Sequence, residues 1–293
     1  TQRHPFSTLP PGSTFKPMMA LMALNEGIIH PYTQFQDPGS YYYARATPPV
    51  RNSGNHNYGG LDVDRALQKS ANTFFAWTAN RWYQQNGKKS VQRYQDYTHQ
   101  FGLGVPTEVP LKGEQDGTED YLAMSKNFSG LGAMVLGSFG QAQRYTAMQL
   151  AQYTATLAND GKRMKPLLTE EIRNPKGKVI QEYKPEVLNR SKIASRHFQT
   201  VKGGMVLATQ PGGTAPHLFK KLPFQVAAKT GTSEQDIPGR GRVENSVFIA
   251  FAPAKDPEIA VAVIVPEGGY GGVAAGPIAE KMVELYHREF MEH

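Results

Sequence analysis

Apolar residues recur at helical spacing through the first two thirds of the chain. After Pro10-Pro11-Gly12 the pattern opens a helix of about a dozen residues with an apolar set at Phe15, Met18, Met19, Leu21, Met22 and Leu24. Thr146 and Gln149 have the spacing of a capping box ahead of another helix. The same periodicity predicts further helical segments at residues 61–85, in two pieces meeting near Ser70, and at residues 90–101 and 195–208.

Three stretches lack this periodicity. Residues 31–60 are rich in Pro, Gly, Asn and Tyr and predict loop, and residues 113–132 predict mostly loop as well. The charged stretch 170–192 predicts a β-hairpin at its start.

The last 80 residues change to strand patterns, with β-rich segments at 224–232, 245–252 and 258–265 and an amphipathic closing helix at 273–290. The predicted class is therefore α+β: an antiparallel sheet flanked by helices, plus a helix-rich subdomain. We expect a single domain over 1–293, with a mainly helical subdomain at 17–205 and a strand-rich part with a C-terminal helix at 206–293.

Composition narrows the function classes. The 293 residues include no cysteine, which excludes disulfides and thiol catalysis, and the eight histidines lack metal-ligand spacing. The net charge of +7 comes without an arginine-rich arm or a stacking motif, so nucleic acid is not an expected partner. No stretch approaches the length of about 20 apolar residues that a membrane span needs, so we expect this chain itself to be soluble. We also expect the protein to use no metal and no cofactor.

Ser13 and Lys16 carry the first candidate chemistry. Three residues apart on a helix, they share one face. A serine hydroxyl needs a nearby base to become a nucleophile, and a lysine can serve if burial or a second cation favours its neutral form. Taken alone, such a pair is far more often a helix-capping serine and an ordinary surface lysine. This is, however, the only Ser-x-x-Lys in the chain, and it lies between Pro10-Pro11-Gly12 and an apolar helix.

A serine two residues before an asparagine occurs three times, at Ser53, Ser70 and Ser125. Ser53 lies in a Gly/Asn-rich stretch typical of a turn, and Ser125 lies in the second predicted loop. Ser70 and Asn72 lie between two helical segments and precede an apolar run that can anchor them. They are the best candidates to hold a hydroxyl and an amide rigidly beside Ser13.

The segment Lys229-Thr230-Gly231-Thr232 ends a β-rich stretch. A cation followed by two hydroxyls can bind a carboxylate through charge-assisted hydrogen bonds, and Gly231 would let a ligand approach the backbone. A strand-end turn with a solvated lysine is the alternative for this motif alone.

In this order, the three motifs resemble those of the transpeptidase domain of penicillin-binding proteins. The resemblance covers nearly the whole chain: Leu9 to Pro17 is similar to the nucleophile segment, and Gly59 to Phe75 to the second block. Further similar segments are Phe101 to Gly104, Leu111 to Glu114, Gly140-Gln141 with Thr146 to Leu150, and Gly213 to Ala215 ahead of Ala227 to Thr232. The pattern is closest to the class B, monofunctional type, and within it resembles the elongation type, which acts in cell shape.

The resemblance implies acyl transfer on peptidoglycan stem peptides ending in D-Ala-D-Ala. Ser13 would attack the penultimate carbonyl, Lys16 would take its proton, and Ser70, oriented by Asn72, would pass a proton to the leaving D-alanine. The terminal carboxylate would meet Lys229, Thr230 and Thr232, and β-lactam antibiotics would acylate Ser13. The implied location is the extracytoplasmic face of the bacterial inner membrane, in the periplasm, with a membrane-anchored full-length protein in a cell-wall synthesis complex.

Several alternatives remain open. A β-lactamase or D,D-carboxypeptidase would share the motifs, although Glu186 lacks the spacing of a deacylating glutamate because Pro185 stands four residues before Asn189. A non-catalytic sensor or scaffold would bind the same ligands. Only twelve residues precede Ser13, whereas strands of the sheet come first in the family, so we expect this chain to be a piece of a longer protein lacking those strands. Ala228 stands where many members have glycine.

Overall fold

The computed structural model describes residues 6–237, 239 and 241–292. Within them the helices are α1 (Lys16–Asn25), α2 (Val63–Lys69), α3 (Asn72–Asn86), α4 (Lys89–Gln100), α5 (Asp120–Asn127), α6 (Gly130–Gly137), α7 (Ala147–Ala158), α8 (Ser195–Leu207) and α9 (Ala275–Tyr286). A 3-10 turn, Gly12–Phe15, leads into α1, a second 3-10 turn spans Ser53–Asn55, and a π-helical turn, His287–Met291, follows α9.

The strands of the described residues are β1 (Phe35–Asp37), β2 (Ser40–Tyr41), β3 (Val50–Arg51), β4 (Gly59–Leu61), β5 (Lys162–Met164), β6 (Glu171–Arg173), β7 (Val179–Glu182), β8 (Val187–Arg190), β9 (Ala227–Ile237), β10 (Gly241–Ala252) and β11 (Ile259–Val265). The largest sheet has the antiparallel order β11-β10-β9, and the remaining strands form two-stranded pairs. The predicted α+β class is confirmed.

The three-stranded sheet is longer than its apolar pattern predicts. Lys229 pairs with Ile249 and Val247 with Ile264, as expected for a meander, but β9 and β10 run on as a hairpin to Ile237 and Gly241. The added residues are largely polar and partly exposed, so hydrogen bonding, not burial, maintains this end of the hairpin. Within the described residues, β11 pairs on one side only.

Helix α1 lies at the centre of the core. Residues Lys16 to Leu24 are all buried, so the helix is apolar all round and shows no amphipathic face. It packs against α2, α3, α4 and α8, while α7 packs on β10 and β11. A lysine at the first position of a fully buried helix is the unusual feature of this core.

Two predicted loop regions contain regular structure. The expectation for residues 113–132 was wrong, because α5 and the start of α6 lie there; three glycines in α6 hide its helical pattern, and Ser129 caps it by accepting a hydrogen bond from Gly132 N. Ser125 therefore lies on a helix. Residues 31–60 hold four short strands, of which β1 pairs with β4. The subdomain boundary at residue 206 stays a prediction.

Candidate active site

The 3-10 turn that carries Ser13 is pressed against strand β9. Gly12 has a φ of +54°, and a Cβ there would lie 2.5 Å from Thr232 O, so only glycine fits. Its N–H donates to Gly140 O at 3.1 Å, and Thr14 Oγ1 donates to Pro11 O at 2.7 Å. The turn is thereby fixed from the sheet side and from the turn that follows α6, and Ser13, half-buried, lines a cleft.

Lys16 is fully buried at the start of α1. Its Nζ donates to Ser70 O at 2.7 Å and to Asn72 Oδ1 at 2.6 Å, and lies 3.1 Å from Ser70 Oγ. The structure thus brings the first two predicted motifs together. Among the described residues, no hydrogen bond joins Lys16 Nζ to the Ser13 hydroxyl.

Ser70 occupies the sharp turn between α2 and α3. Its φ of 55° and ψ of 42° place it in the left-handed region, which costs a non-glycine residue about 1–2 kcal/mol. Asn72, the first residue of α3, donates through Nδ2 to Arg51 O at 2.9 Å. The strained turn therefore presents the Ser70 hydroxyl, while Asn72 ties the start of α3 to strand β3.

Lys229 enters the site from β9 and is fully buried. Its Nζ lies 2.8 Å from Ser70 Oγ and donates to Thr230 O at 3.0 Å. Gly231 packs on the turn that carries Ser13, because a Cβ there would lie 2.8 Å from the Thr14 methyl group. Thr230 and Thr232 are half-buried and line the cleft.

Burial changes the protonation of both lysines. Desolvation, and then repulsion from Lys229, holds the pKa of Lys16 well below its ordinary value. Desolvation lowers the pKa of Lys229 to about 7. Both shifts favour the neutral, proton-accepting form of the lysine, and with its pKa of about 7 Lys229 is divided between its two forms near neutral pH.

A neutral Lys16 has a defined hydrogen-bond arrangement. A primary amine has two N–H groups and one lone pair, and two of its three oxygen neighbours, Ser70 O and Asn72 Oδ1, can only accept. Both N–H groups are thus committed, which leaves the lone pair free to accept a proton. This is the requirement for a general base.

The cleft has a volume of about 790 Å³. Its lining includes Ser13, Ser70, Asn72, Thr230 and Thr232, whereas Lys16, Lys229 and Gly231 lie behind this lining and are buried. All eight predicted site residues therefore meet at one place, four from the helical segments and four from β9.

Two supporting residues were missed by sequence reasoning. Thr214 lines the cleft and accepts a hydrogen bond from Thr230 Oγ1 at 2.9 Å. Asp37 is buried and accepts from Thr73 Oγ1, Asn52 Nδ2 and the N–H groups of Gly39 and Tyr58, at 2.8–3.0 Å. Asp37 precedes Pro38-Gly39 and has the sequence signal of an ordinary turn, so nothing marked it as the anchor of α3.

Three other residues were considered as site residues from the sequence: Ser53, Ser125 and Glu186. Ser53 borders the cleft on a 3-10 turn, and Ser125 lies on α5. Glu186 precedes β8 and forms an ion pair with Lys165 at 3.4 Å, outside the lining of the cleft as described. No cluster of three potential ligands that could hold a metal ion is found in the described part of the chain.

Membrane-spanning helices were also sought. None of the helices in residues 6–237, 239 and 241–292 combines the length and the apolar character needed to cross a bilayer.

Comparison with known proteins gives consistent matches. Residues 5–284 match the family model described as the penicillin-binding protein transpeptidase domain. The chain is 32% identical to penicillin-binding protein 2A of Bacillus subtilis, over 87% of this chain and 37% of that protein. It is 33% identical to the peptidoglycan D,D-transpeptidase MrdA of Salmonella typhimurium, over 94% of this chain and 46% of that protein. The chain thus spans less than half the length of these two relatives.

Solved structures show the same fold. Penicillin-binding protein 2B of Streptococcus pneumoniae superposes with a TM-score of 0.84 at 26% identity, covering 98% of this chain and 49% of that one. A ceftriaxone acyl-enzyme complex of penicillin-binding protein A from M. tuberculosis superposes with a TM-score of 0.81 at 26% identity, covering 94% and 60% of the two chains.

Proposed function

The chain belongs to the penicillin-binding protein transpeptidase family, and we propose that it is a peptidoglycan D,D-transpeptidase that works through an acyl-enzyme on Ser13. One observation carries the proposal: the Ser70 hydroxyl lies within hydrogen-bond distance of two buried lysines, at 3.1 Å from Lys16 and 2.8 Å from Lys229, in the cleft that Ser13 lines. This arrangement can move protons between a nucleophile and a leaving group.

Acylation uses the buried position and the lowered pKa of Lys16. Neutral Lys16 takes the proton of the Ser13 hydroxyl as Oγ attacks the carbonyl carbon of the penultimate D-alanine. The Oγ–C bond forms and the carbonyl oxygen becomes an oxyanion, for which we propose the backbone N–H groups of Ser13 and Thr232 as donors. When the amide C–N bond breaks, Ser70 delivers a proton to the departing D-alanine amine and is reprotonated by Lys16, which holds the proton taken from Ser13.

The residues of strand β9 bind the donor peptide. Protonated Lys229, Thr230 and Thr232 are placed to bind the terminal carboxylate, with Gly231 allowing close approach. An amine of a second stem peptide then attacks the ester, Ser13 recovers its proton, and a peptide crosslink results. We propose peptidoglycan stem peptides as substrates, and a place at the extracytoplasmic face of the inner membrane within a membrane-anchored full-length protein and a cell-wall synthesis complex.

We also propose that β-lactams acylate Ser13, as a ceftriaxone acyl-enzyme is known for the M. tuberculosis relative. The test is incubation with benzylpenicillin followed by intact and peptide mass spectrometry. We expect a single adduct of the mass of the antibiotic on the peptide containing Ser13, and none in the Ser13→Ala variant. An unmodified, folded parent protein would refute the proposal.

Turnover assays distinguish transpeptidation from the related activities of a β-lactamase, a carboxypeptidase and a sensor. A β-lactamase would hydrolyse nitrocefin repeatedly, whereas we expect one equivalent of product per protein molecule. A carboxypeptidase would release D-alanine at a rate independent of an added acceptor amine, whereas the transpeptidase forms a crosslinked product. Acylation by penicillin without any release of D-alanine from stem peptides would favour a sensor.

A further inference from the structure

The hydroxyl of Tyr153, on α7, is inserted into the hydrogen-bond pattern of the nucleophile segment. It donates to Thr14 O at 3.2 Å and accepts from Met18 N at 3.2 Å. Thr14 and Met18 are four residues apart, so their carbonyl and N–H are the pair that an uninterrupted α-helix would join directly. The tyrosine hydroxyl takes the place of that hydrogen bond.

We propose that Tyr153 is a positioning residue for acylation, one that keeps Ser13 and Lys16 aligned by holding the turn before α1 in its 3-10 conformation. The inference rests on the proposed function of Ser13. Tyr153 touches neither Ser13 Oγ nor Lys16 Nζ in any hydrogen bond of the described structure, so it acts through the backbone.

The neighbouring hydrogen bond is interrupted as well. Pro17 has no N–H, so Ser13 O cannot accept the α-helical bond from residue 17 and instead accepts from Lys16 N, three residues on. Two successive α-helical bonds, 13 to 17 and 14 to 18, are therefore missing. A proline removes one, and the Tyr153 hydroxyl replaces the other.

The consequence for the site is geometric. In a 3-10 turn, side chains three residues apart eclipse, whereas in an α-helix they are offset by about 60° around the axis. Keeping residues 12–15 in the tighter turn thus directs Ser13 and Lys16 to the same side. Closure of a direct bond from Met18 N to Thr14 O would extend α1 backwards and rotate Ser13 away from Lys16.

Tyr153 is itself firmly placed. Its ring is fully buried and packs edge-on against Phe101 with 6.2 Å between centroids, in the second turn of a helix that begins with the Thr146–Gln149 capping box. Burial raises the pKa of Tyr153, so the hydroxyl keeps the proton that it donates to Thr14 O.

Tyr94 provides a matched comparison. Its buried hydroxyl also donates one hydrogen bond and accepts one, to Gly137 O and from Gln143 Nε2, both at 2.9 Å. Neither partner belongs to the nucleophile segment. The Tyr94 ring packs on Phe15 of the turn before α1, with 5.5 Å between centroids, and a phenylalanine ring keeps that contact. Tyr94→Phe therefore removes an equivalent buried hydroxyl without removing a hydrogen bond of the nucleophile segment.

The experiment compares Tyr153→Phe and Tyr94→Phe with the parent in the full chain. Benzylpenicillin is the probe, and stopped-flow kinetics separate its non-covalent Kd from the first-order acylation rate constant. We expect Tyr153→Phe to lower the rate constant by about 10- to 100-fold, as small misplacements of reacting groups do, with Kd unchanged. We expect Tyr94→Phe to lose a similar amount of thermal stability and acylate at the parental rate.

The outcomes of this experiment distinguish a failure of the positioning role from a failure of the proposed function. Equal acylation rates in Tyr153→Phe and the parent, or equal losses in both variants, would overturn the positioning role while leaving the proposed function intact. A parent that is never acylated would overturn the proposed function first, and the positioning role with it.

If Tyr153→Phe does not fold, Pro17→Ala tests the same turn, because it supplies the missing N–H to Ser13 O. A slower acylation rate at unchanged Kd would support the inference, and a parental rate would overturn it.

Discussion

The two sides of the cleft are built on different principles. The helical wall (Ser13, Lys16, Ser70 and Asn72) is assembled from two separate segments and held by side-chain hydrogen bonds, such as those from Lys16 to Ser70 and Asn72. The sheet wall (Lys229, Thr230, Gly231 and Thr232) is one continuous strand, fixed by its backbone pairing with β10. The bond between Lys229 Nζ and Ser70 Oγ links the two walls.

This difference suggests a division of labour. Groups that exchange protons need fixed mutual distances, and the helical wall fixes them by several interlocking contacts, with Asp37 and Tyr153 behind them. Groups that bind a carboxylate need charge and donors at an accessible surface, and a strand beside a cleft provides both. Changes to the helical wall should therefore alter rates, and changes to the sheet wall should alter affinities.

The strongest test of this division is Lys16→Met. It removes the proposed general base while keeping the volume of the side chain, so acylation by benzylpenicillin should fall by about 10²- to 10⁴-fold with little change in non-covalent Kd. Because Lys16→Met also leaves Ser70 O and Asn72 Oδ1 without a donor, the free energy of unfolding should fall as well, by about 1–3 kcal/mol for each unsatisfied acceptor. Stopped-flow acylation and denaturant titration measure the two effects.

Lys202→Met is the control for Lys16→Met. Lys202 is also buried, but it lies on α8, where it binds Asp160 and Ala158 O. The Lys202→Met protein should be acylated by benzylpenicillin at the parental rate. A Lys16→Met protein that kept more than about a tenth of the parental acylation rate would show that another group accepts the proton.

Lys229→Met should act on binding. Loss of a charge-assisted hydrogen bond costs about 1.5–3 kcal/mol, so the Kd of benzylpenicillin should rise by about 10- to 150-fold. The methyl ester of the same antibiotic lacks the carboxylate, and its Kd should be nearly the same for the parent and the variant. Equal losses for acid and ester would mean that Lys229 does not bind the carboxylate.

The lowered pKa of Lys229 also predicts how stability depends on pH. An unfolded lysine titrates near 10.5, while folded Lys229 titrates at about 7. Between these values the unfolded state binds more protons, so the free energy of unfolding rises with pH, by at most about 1.4 kcal/mol per pH unit from this group.

Denaturant titrations over that pH range test this linkage. Lys229→Met should reduce the slope of the free energy of unfolding against pH by the contribution of Lys229. Lys220 is exposed, so Lys220→Met should leave that slope unchanged. Parallel slopes in the parent and Lys229→Met would contradict a lowered pKa.

The two walls also differ in how far sequence could predict them. Each motif is local: the spacing of Ser13 and Lys16, the break between helices at Ser70, and the strand pattern before Lys229 could all be read from neighbouring residues. The family resemblance brought these separate motifs together, since the distances between walls depend on contacts across 159 residues.

What escaped prediction is the support behind the motifs. The contact from Tyr153 spans 139 residues to Thr14, and a buried tyrosine in an apolar helix has no sequence signal beyond that of core packing. Asp37 resembles a turn residue for the same reason. The helices α5 and α6 were missed because short, glycine-containing helices are fixed by tertiary packing rather than by periodicity.

The smallest expected effect concerns Thr214, at the edge of the sheet wall. Thr214→Val removes the acceptor of the 2.9 Å hydrogen bond from Thr230 Oγ1, so the Thr230 hydroxyl is free to rotate away from the substrate carboxylate. The loss of one neutral hydrogen bond is worth about 0.5–1.5 kcal/mol, so Kd for benzylpenicillin should rise by about 2- to 10-fold with the acylation rate constant unchanged. Thr209→Val is the control, because the Thr209 hydroxyl bonds to Val206 O and Val226 O, outside the cleft. A change in the acylation rate constant of Thr214→Val, at constant Kd, would place Thr230 among the groups that move protons and would break the division between the two walls.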